Sequence, residues 1–211
     1  MIKNLFWDLD GTLFDTYPAI TYAISKSLNE LGGTIALNVI EGLARESIGY
    51  CLETLAARFK LDPNLLRTRY VEIHRELPPA NQPPFPGARE TCTFVHQNGG
   101  QNIIITHREV ASCHLLLETH KMSALFDDVF STEQGYPRKP APEMILAALG
   151  KYNLDPVETM MVGDRALDIQ AGQAAGVATC LFGQAGISSL PSLYIQKYDE
   201  LLAYLNELSN K

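Results

Sequence analysis

Two acids separated by one residue, Asp8-Leu9-Asp10, stand before a Gly11-Thr12 turn near the start of the chain. Three later clusters carry similar promise: Thr106-His107-Arg108, Arg138-Lys139-Pro140, and Gly163-Asp164 with Asp168 four residues on. Brought together, Asp8, Asp10, Asp164 and Asp168 would place three or four carboxylates in one crevice. Like charges at that range raise one another's pKa or demand a cation. Mg²⁺, a hard ion that takes a few carboxylates plus waters and a phosphate oxygen, fits such a set. Thr106 offers a neutral hydroxyl donor, and Lys139 a point charge that can neutralise a phosphoryl group. A carboxylate held between a metal and a lysine stays ionised, as a carboxylate nucleophile must. An acid two residues along can protonate a leaving alkoxide and later activate water.

The elements that must position these residues are legible from periodicity and breakers. Residues 2–8 predict a buried strand with an acid at its C-terminal end. A helix opened by Asp15 or Thr16, with Pro18 in its first turn, runs to the Gly32-Gly33 stop. Helices follow over 38–47, 50–59 and 63–77 with no strand between them, the last opened by Asp62-Pro63. The proline-rich run Leu77 to Gly87 cannot continue a helix and predicts a hinge or linker. Beyond it the rhythm changes. Strands are expected at 102–105, 129–130, 159–162, 177–181 and, weakly, 193–195, alternating with helices near 87–97, 109–120, 142–152, 167–175 and 198–208.

That alternation predicts an α/β fold, a doubly wound parallel sheet interrupted early by an all-helical insertion. The expected core is 1–14 and 85–211, and the expected helical domain with its linkers is 15–84. The helical block is equally readable as one extended subdomain packed on the core's edge. Open parallel sheets bind ligands outside the carboxyl ends of their strands. The acidic and cationic clusters lie at those ends.

A net charge of −7 disfavours a nucleic-acid groove or an anionic membrane as partner. It does not disfavour a small anion, because local cations decide that. Cys51, Cys92, Cys113 and Cys180 have no metal-ligand spacing, and no histidine pair sits at i, i+4, so zinc is not supported. No apolar run approaches a membrane span, and the first residues do not form a secretory signal. A cytoplasmic protein, monomer or homodimer, is expected.

The motifs DLDGT, TH, RKP and VGDRALDIQAGQAAGV, in that order, resemble the haloacid dehalogenase superfamily over nearly the whole chain. The likeness is to its phosphoglycolate-phosphatase-like and β-phosphoglucomutase-like branch. It implies a Rossmann-like core with a helical cap and a Mg²⁺-dependent phosphatase acting on a small phosphorylated metabolite. Asp8 then matches the nucleophile, which becomes an aspartyl-phosphate, and Asp10 the general acid/base. Thr106 and Lys139 match phosphate-binding positions. Asp164 matches a metal ligand, beside the Asp8 carboxylate and the Asp10 backbone carbonyl. Asp168 either meets the metal through water or only holds Lys139. Residues Leu13 to Asp15 match a mobile turn, and Arg45 is the one cation in the cap segment that contacts leaving groups. His107-Arg108 departs from the asparagine-lysine or small polar residues usual there, which makes His107 a substrate-binding candidate. Arg108 either reaches substrate or sits in the first helical turn. Rival readings are a phosphosugar mutase on the same scaffold, a dehalogenase, and a catalytically silent binding module. A dehalogenase would need neither Asp10 nor the metal cluster.

Overall fold

In the computed structural model, which describes residues 1–183 and 190–209, the chain divides into two compact units. The first comprises 1–14 and 84–211, the second 15–83. The first opens with β1 (Asn4–Trp7), and the second holds α1 (Tyr17–Glu30), α2 (Leu37–Glu46), α3 (Ile48–Phe59) and α4 (Pro63–Glu76). The first unit resumes with α5 (Ala88–Gln97), β2 (Asn102–Thr106), α6 (Val110–Thr119), β3 (Asp128–Ser131) and α7 (Glu143–Tyr152). It ends with β4 (Thr159–Gly163), α8 (Ala166–Ala174), β5 (Ala178–Phe182), β6 (Leu193–Ile195) and α9 (Tyr198–Ser209).

The sheet order is β3-β2-β1-β4-β5-β6, with every neighbouring pair parallel. Strand alternation explains how both faces are filled. Leu5, Trp7, Ile104, Met160 and Val162 face a core that includes α5, α6 and α9 residues such as Cys92, Leu116 and Leu201. Phe6, Ile103, Ile105 and Met161 face the other side, with Met144, Ile145 and Ala148 of α7 and Ala171 of α8. Chain order reverses between β1 and β4, so residues leaving the C-terminal ends of β1, β2 and β4 share one crevice.

The helical unit has its own core of Ile20, Ile24, Leu28, Ile40, Leu52, Leu55, Leu66 and Ile73. The Asp62 carboxylate accepts from the Asn64 N–H and caps α4, with Pro63 in the first turn as expected. Helix α3 begins earlier than the periodicity predicts. Ser47 caps it by accepting from the Tyr50 N–H, which draws Ile48 and Gly49 into the first turn. Strand β1 is shorter than predicted at its start, although the Lys3 N–H still donates to the Glu158 carbonyl.

Candidate active site

The Asp8 N–H donates to the Val162 carbonyl at 2.9 Å, extending the β1–β4 ladder one residue before the chain turns. Gly11 sits at φ 79°, a left-handed conformation that glycine adopts without a Cβ penalty. The turn closes with the Gly11 N–H on the Phe14 carbonyl and the Phe14 N–H on the Leu9 carbonyl. Thr12, next in the turn, donates its hydroxyl to Asp164 Oδ1 at 3.2 Å. The buried Tyr198 hydroxyl donates to the Thr12 carbonyl at 2.8 Å, tying this turn to α9.

Lys139 is buried, and its ammonium stands among three acceptors. Nζ lies 2.7 Å from Asp8 Oδ1, 2.8 Å from the Ile105 carbonyl and 2.6 Å from Asp168 Oδ1. Asp8, Asp168 and Lys139 are all almost wholly removed from solvent. Burial alone would push the Asp8 carboxyl up, but Lys139 and Arg165 outweigh it and hold the group below its ordinary value. Burial and the Asp8 charge raise the Asp168 carboxyl, against the opposing pull of Lys139 and Arg165. Neighbouring carboxylates are thereby pushed apart, and the one at Asp8 stays ionised.

Close packing at the end of β4 sets Asp168. Its Oδ2 accepts from the Arg165 N–H at 3.1 Å at the start of α8. A Cβ added at Gly163 would stand 2.2 Å from the Asp168 Cβ and 2.5 Å from its Cγ. Gly163→Ala is therefore expected to drive Asp168 off Lys139, lowering stability by about 1–3 kcal/mol. Turnover should drop about 10–100-fold, the scale of a misplacement near 1 Å. Denaturant melts and steady-state rates on the same preparation check both parts.

Three predicted residues form a polar rim in this unit. Thr106 ends β2, and its hydroxyl oxygen accepts from the Arg108 N–H at 3.2 Å. Arg108 donates through Nη1 to Asp10 Oδ1 at 2.7 Å and through Nε to the Ser112 hydroxyl at 2.8 Å. Arg108 precedes α6 rather than sitting in its first turn, and its guanidinium orients the Asp10 carboxylate. His107 Nε2 accepts from the Lys139 N–H at 2.8 Å, and Nδ1 lies 2.9 Å from Arg138 Nη2. Both neighbours are donors, and a neutral imidazole has one lone pair to offer. The backbone N–H is the fixed donor, so Nε2 is the acceptor, and Nδ1 then presents its proton toward the Arg138 guanidinium, which is no hydrogen bond. Burial, then the charges of Lys139 and Arg138, push the ring's pKa down to about 3, so it is neutral near pH 7.

That depression has a sign. Below about pH 6.5 the unfolded chain takes up a proton that the folded ring refuses until about pH 3, so stability falls as pH falls through this window. The depressed carboxyls of Asp8 and Asp128 act only below their ordinary 3.8, and the raised Asp168 carboxyl acts with the opposite sign. Urea unfolding between pH 7.5 and 5 should show wild type losing more stability on acidification than His107→Gln, a difference that isolates the imidazole from the carboxyls.

The structure thus gathers Asp8, Asp10, Thr106, His107, Lys139, Asp164 and Asp168 at the strand ends of one unit. Arg45 is not among them. It belongs to the helical unit, where Nη2 lies 2.8 Å from Glu41 Oε1 and the guanidinium stacks 4.1 Å from the Tyr17 ring centroid. The sequence reading did not single out Arg165 or Thr12. Each adjoins a motif residue, and that adjacency was the signal available. One carboxylate oxygen from each of Asp8, Asp164 and Asp168 lies within 4.8 Å of the others. An all-oxygen donor set of this kind fits Mg²⁺. The Asp10 carboxylate, paired with Arg108, lies outside that trio, which leaves its backbone carbonyl as the oxygen the resemblance offers to a metal.

Comparisons with known proteins agree with this geometry. The family model described as haloacid dehalogenase-like hydrolase matches residues 5–182. Phosphoglycolate phosphatase of Nitrosospira multiformis is 30% identical over 186 residues, covering 83% of this chain and 80% of that protein. Phosphoglycolate phosphatase of Aliivibrio fischeri is 26% identical, covering 97% of each. A solved hydrolase from Streptococcus pneumoniae superposes with TM-score 0.66 at 29% identity, over 97% of this chain and 98% of that one. A subfamily IA hydrolase of the same superfamily from Geobacter sulfurreducens reaches TM-score 0.76 at 20% identity, over 97% and 96%, and speaks to the fold alone. With the α/β core, the helical insertion and the motif residues in place, the chain belongs to the haloacid dehalogenase-like hydrolase family.

Proposed function

We propose that this protein is a Mg²⁺-dependent phosphatase that transfers the phosphoryl group of a small phosphomonoester to Asp8 and then to water. The observation that carries the reading is the buried, ionised Asp8 carboxylate, 2.7 Å from Lys139 and two residues from a second acid. Lys139 and the Thr106 hydroxyl hold phosphoryl oxygens. An Asp8 oxygen attacks phosphorus in line, the ester P–O bond breaks, and the leaving alkoxide takes the proton of Asp10, which enters this step as the carboxylic acid. Asp10 then accepts a proton from the water that attacks the aspartyl-phosphate, releasing inorganic phosphate and restoring Asp8. Arg108 keeps the Asp10 carboxyl aimed through both steps. Asp8 and Asp164, with Asp168 beside them and the Asp10 carbonyl that the family resemblance adds, would hold Mg²⁺, which would supply positive charge to the phosphoryl group.

Residues 15–84 serve as the family's cap and select the leaving group, with Arg45 as a substrate-binding candidate in that unit. The names of the relatives make 2-phosphoglycolate the first ester to try, and they favour hydrolysis over isomerisation or silent binding. The protein works in the cytoplasm as a monomer or homodimer, without nucleic acid or membrane as partner. The free cysteines suit a reducing compartment, and no helix among the described residues is long and apolar enough to cross a membrane.

The test is phosphate release from a panel of phosphomonoesters, including 2-phosphoglycolate and an aryl phosphate. Release is expected with Mg²⁺, lost to background with chelator and restored by adding the ion back. Folded, metal-loaded protein that releases phosphate from no ester would overturn hydrolysis.

A further inference from the structure

Arg165 stands next to Asp164 in sequence, yet its guanidinium reaches all three carboxylates of the acidic trio. Nη2 lies 3.3 Å from Asp8 Oδ2, and Nε lies 3.7 Å from Asp164 Oδ1 and 3.9 Å from Asp168 Oδ2. Lys139 neutralises part of the trio but touches only Asp8 and Asp168. Arg108 is engaged with Asp10. Arg165 thus lies within 4 Å of all three carboxylates, where Lys139 pairs with two of them.

The geometry points to Arg165 as an internal counter-ion of the metal site, which steadies the carboxylates without Mg²⁺ and sets how tightly Mg²⁺ binds. This rests on the reading of the trio as the Mg²⁺ site. The physics is pairwise. A positive charge within 4 Å of an anion lowers its energy whether or not a metal is present, and it repels an incoming divalent cation. Removing Arg165 takes away the cation that reaches all three carboxylates. The metal-free site then becomes costlier and the appetite for a divalent ion larger. The side chain is only about 18% exposed, so solvent screens this less than it would a surface pair. Arginine suits the task because its fork is wide enough to address three acceptors at once, where an ammonium is a point.

The experiment uses the full chain, stripped with chelator and dialysed, and needs no turnover. Mg²⁺ affinity is measured by calorimetric titration, and thermal unfolding is followed with and without saturating Mg²⁺. Arg165→Gln is expected to bind Mg²⁺ about ten-fold tighter or more. Its melting point should fall in the metal-free protein and recover most of that loss on saturation. Arg165→Lys, which keeps the charge but shortens the reach, should lie between the two. Equal or weaker Mg²⁺ binding by folded Arg165→Gln would overturn the inference. So would a loss of stability that is the same with and without metal, which marks Arg165 as a structural residue at the start of α8. Should Arg165→Gln not fold, Arg165→Lys decides alone, and affinity no tighter than wild type then counts against the inference. Wild-type protein that binds no Mg²⁺ would overturn the metal reading of the trio itself, a result separate from an unchanged affinity in the variant.

Discussion

Asp8→Asn is expected to cut kcat by at least about 10⁴-fold, the scale seen when a nucleophile that acts in a unit is removed. The amide matches the carboxylate in size, so the effect isolates chemistry from packing. An amide oxygen cannot form the aspartyl-phosphate, so the covalent route to phosphate release is closed. The fold should survive. Lys139 keeps Asp168 and the Ile105 carbonyl as partners, and Asp168 loses the anion that raises it. Phosphate release, mass spectrometry for a phosphorylated chain and a denaturant melt on one preparation check the claim. Turnover by the variant within ten-fold of wild type would remove Asp8 from the mechanism.

Lys139→Met should damage folding and turnover together, for one electrostatic reason. Lys139 is the cation between two buried carboxylates, with side-chain exposures of 0% for Lys139, 1% for Asp8 and 0% for Asp168. Breaking a buried ion pair by removing one partner costs about 3–5 kcal/mol, because the remaining charge is stranded. Here two anions are left facing each other beside Arg165. Denaturant unfolding should show a loss of this size, and Asp168→Asn added to Lys139→Met should return part of it by removing one stranded charge. Activity should not return, since the phosphoryl group has still lost its cation. Recovery of turnover in the double variant would show that Lys139 acts only through Asp168.

Much of the fold is written locally. The helices and strands of the first unit were readable because apolar periodicity and glycine or proline breakers act over a few residues. The differences lie at ends, where a side chain shifts the boundary, as Ser47 does by capping α3 two residues early. The site was readable in the same degree. Asp8 and Asp164 each follow a strand directly and Thr106 ends one, and strand ends of a parallel sheet share one rim.

Residue types and spacing determined that carboxylates, a hydroxyl and a lysine would stand at the ends of parallel strands, and hence the class of chemistry. Only tertiary structure decided which of them touch. Lys139 meets Asp8 across 131 residues of sequence, and Arg108 meets Asp10 across 98. Arg165 spans three acids, one adjacent in sequence and one from the other end of the chain. Such contacts follow from the β3-β2-β1-β4-β5-β6 order, which brings β2 and β4 to either side of β1. His107 shows the same division. Its sequence neighbours make it a substrate candidate, whereas burial beside Lys139 and Arg138 makes it a neutral acceptor for the lysine's own backbone. Desolvation and charge at a point in space are sums over residues distant along the chain, and no local pattern carries them.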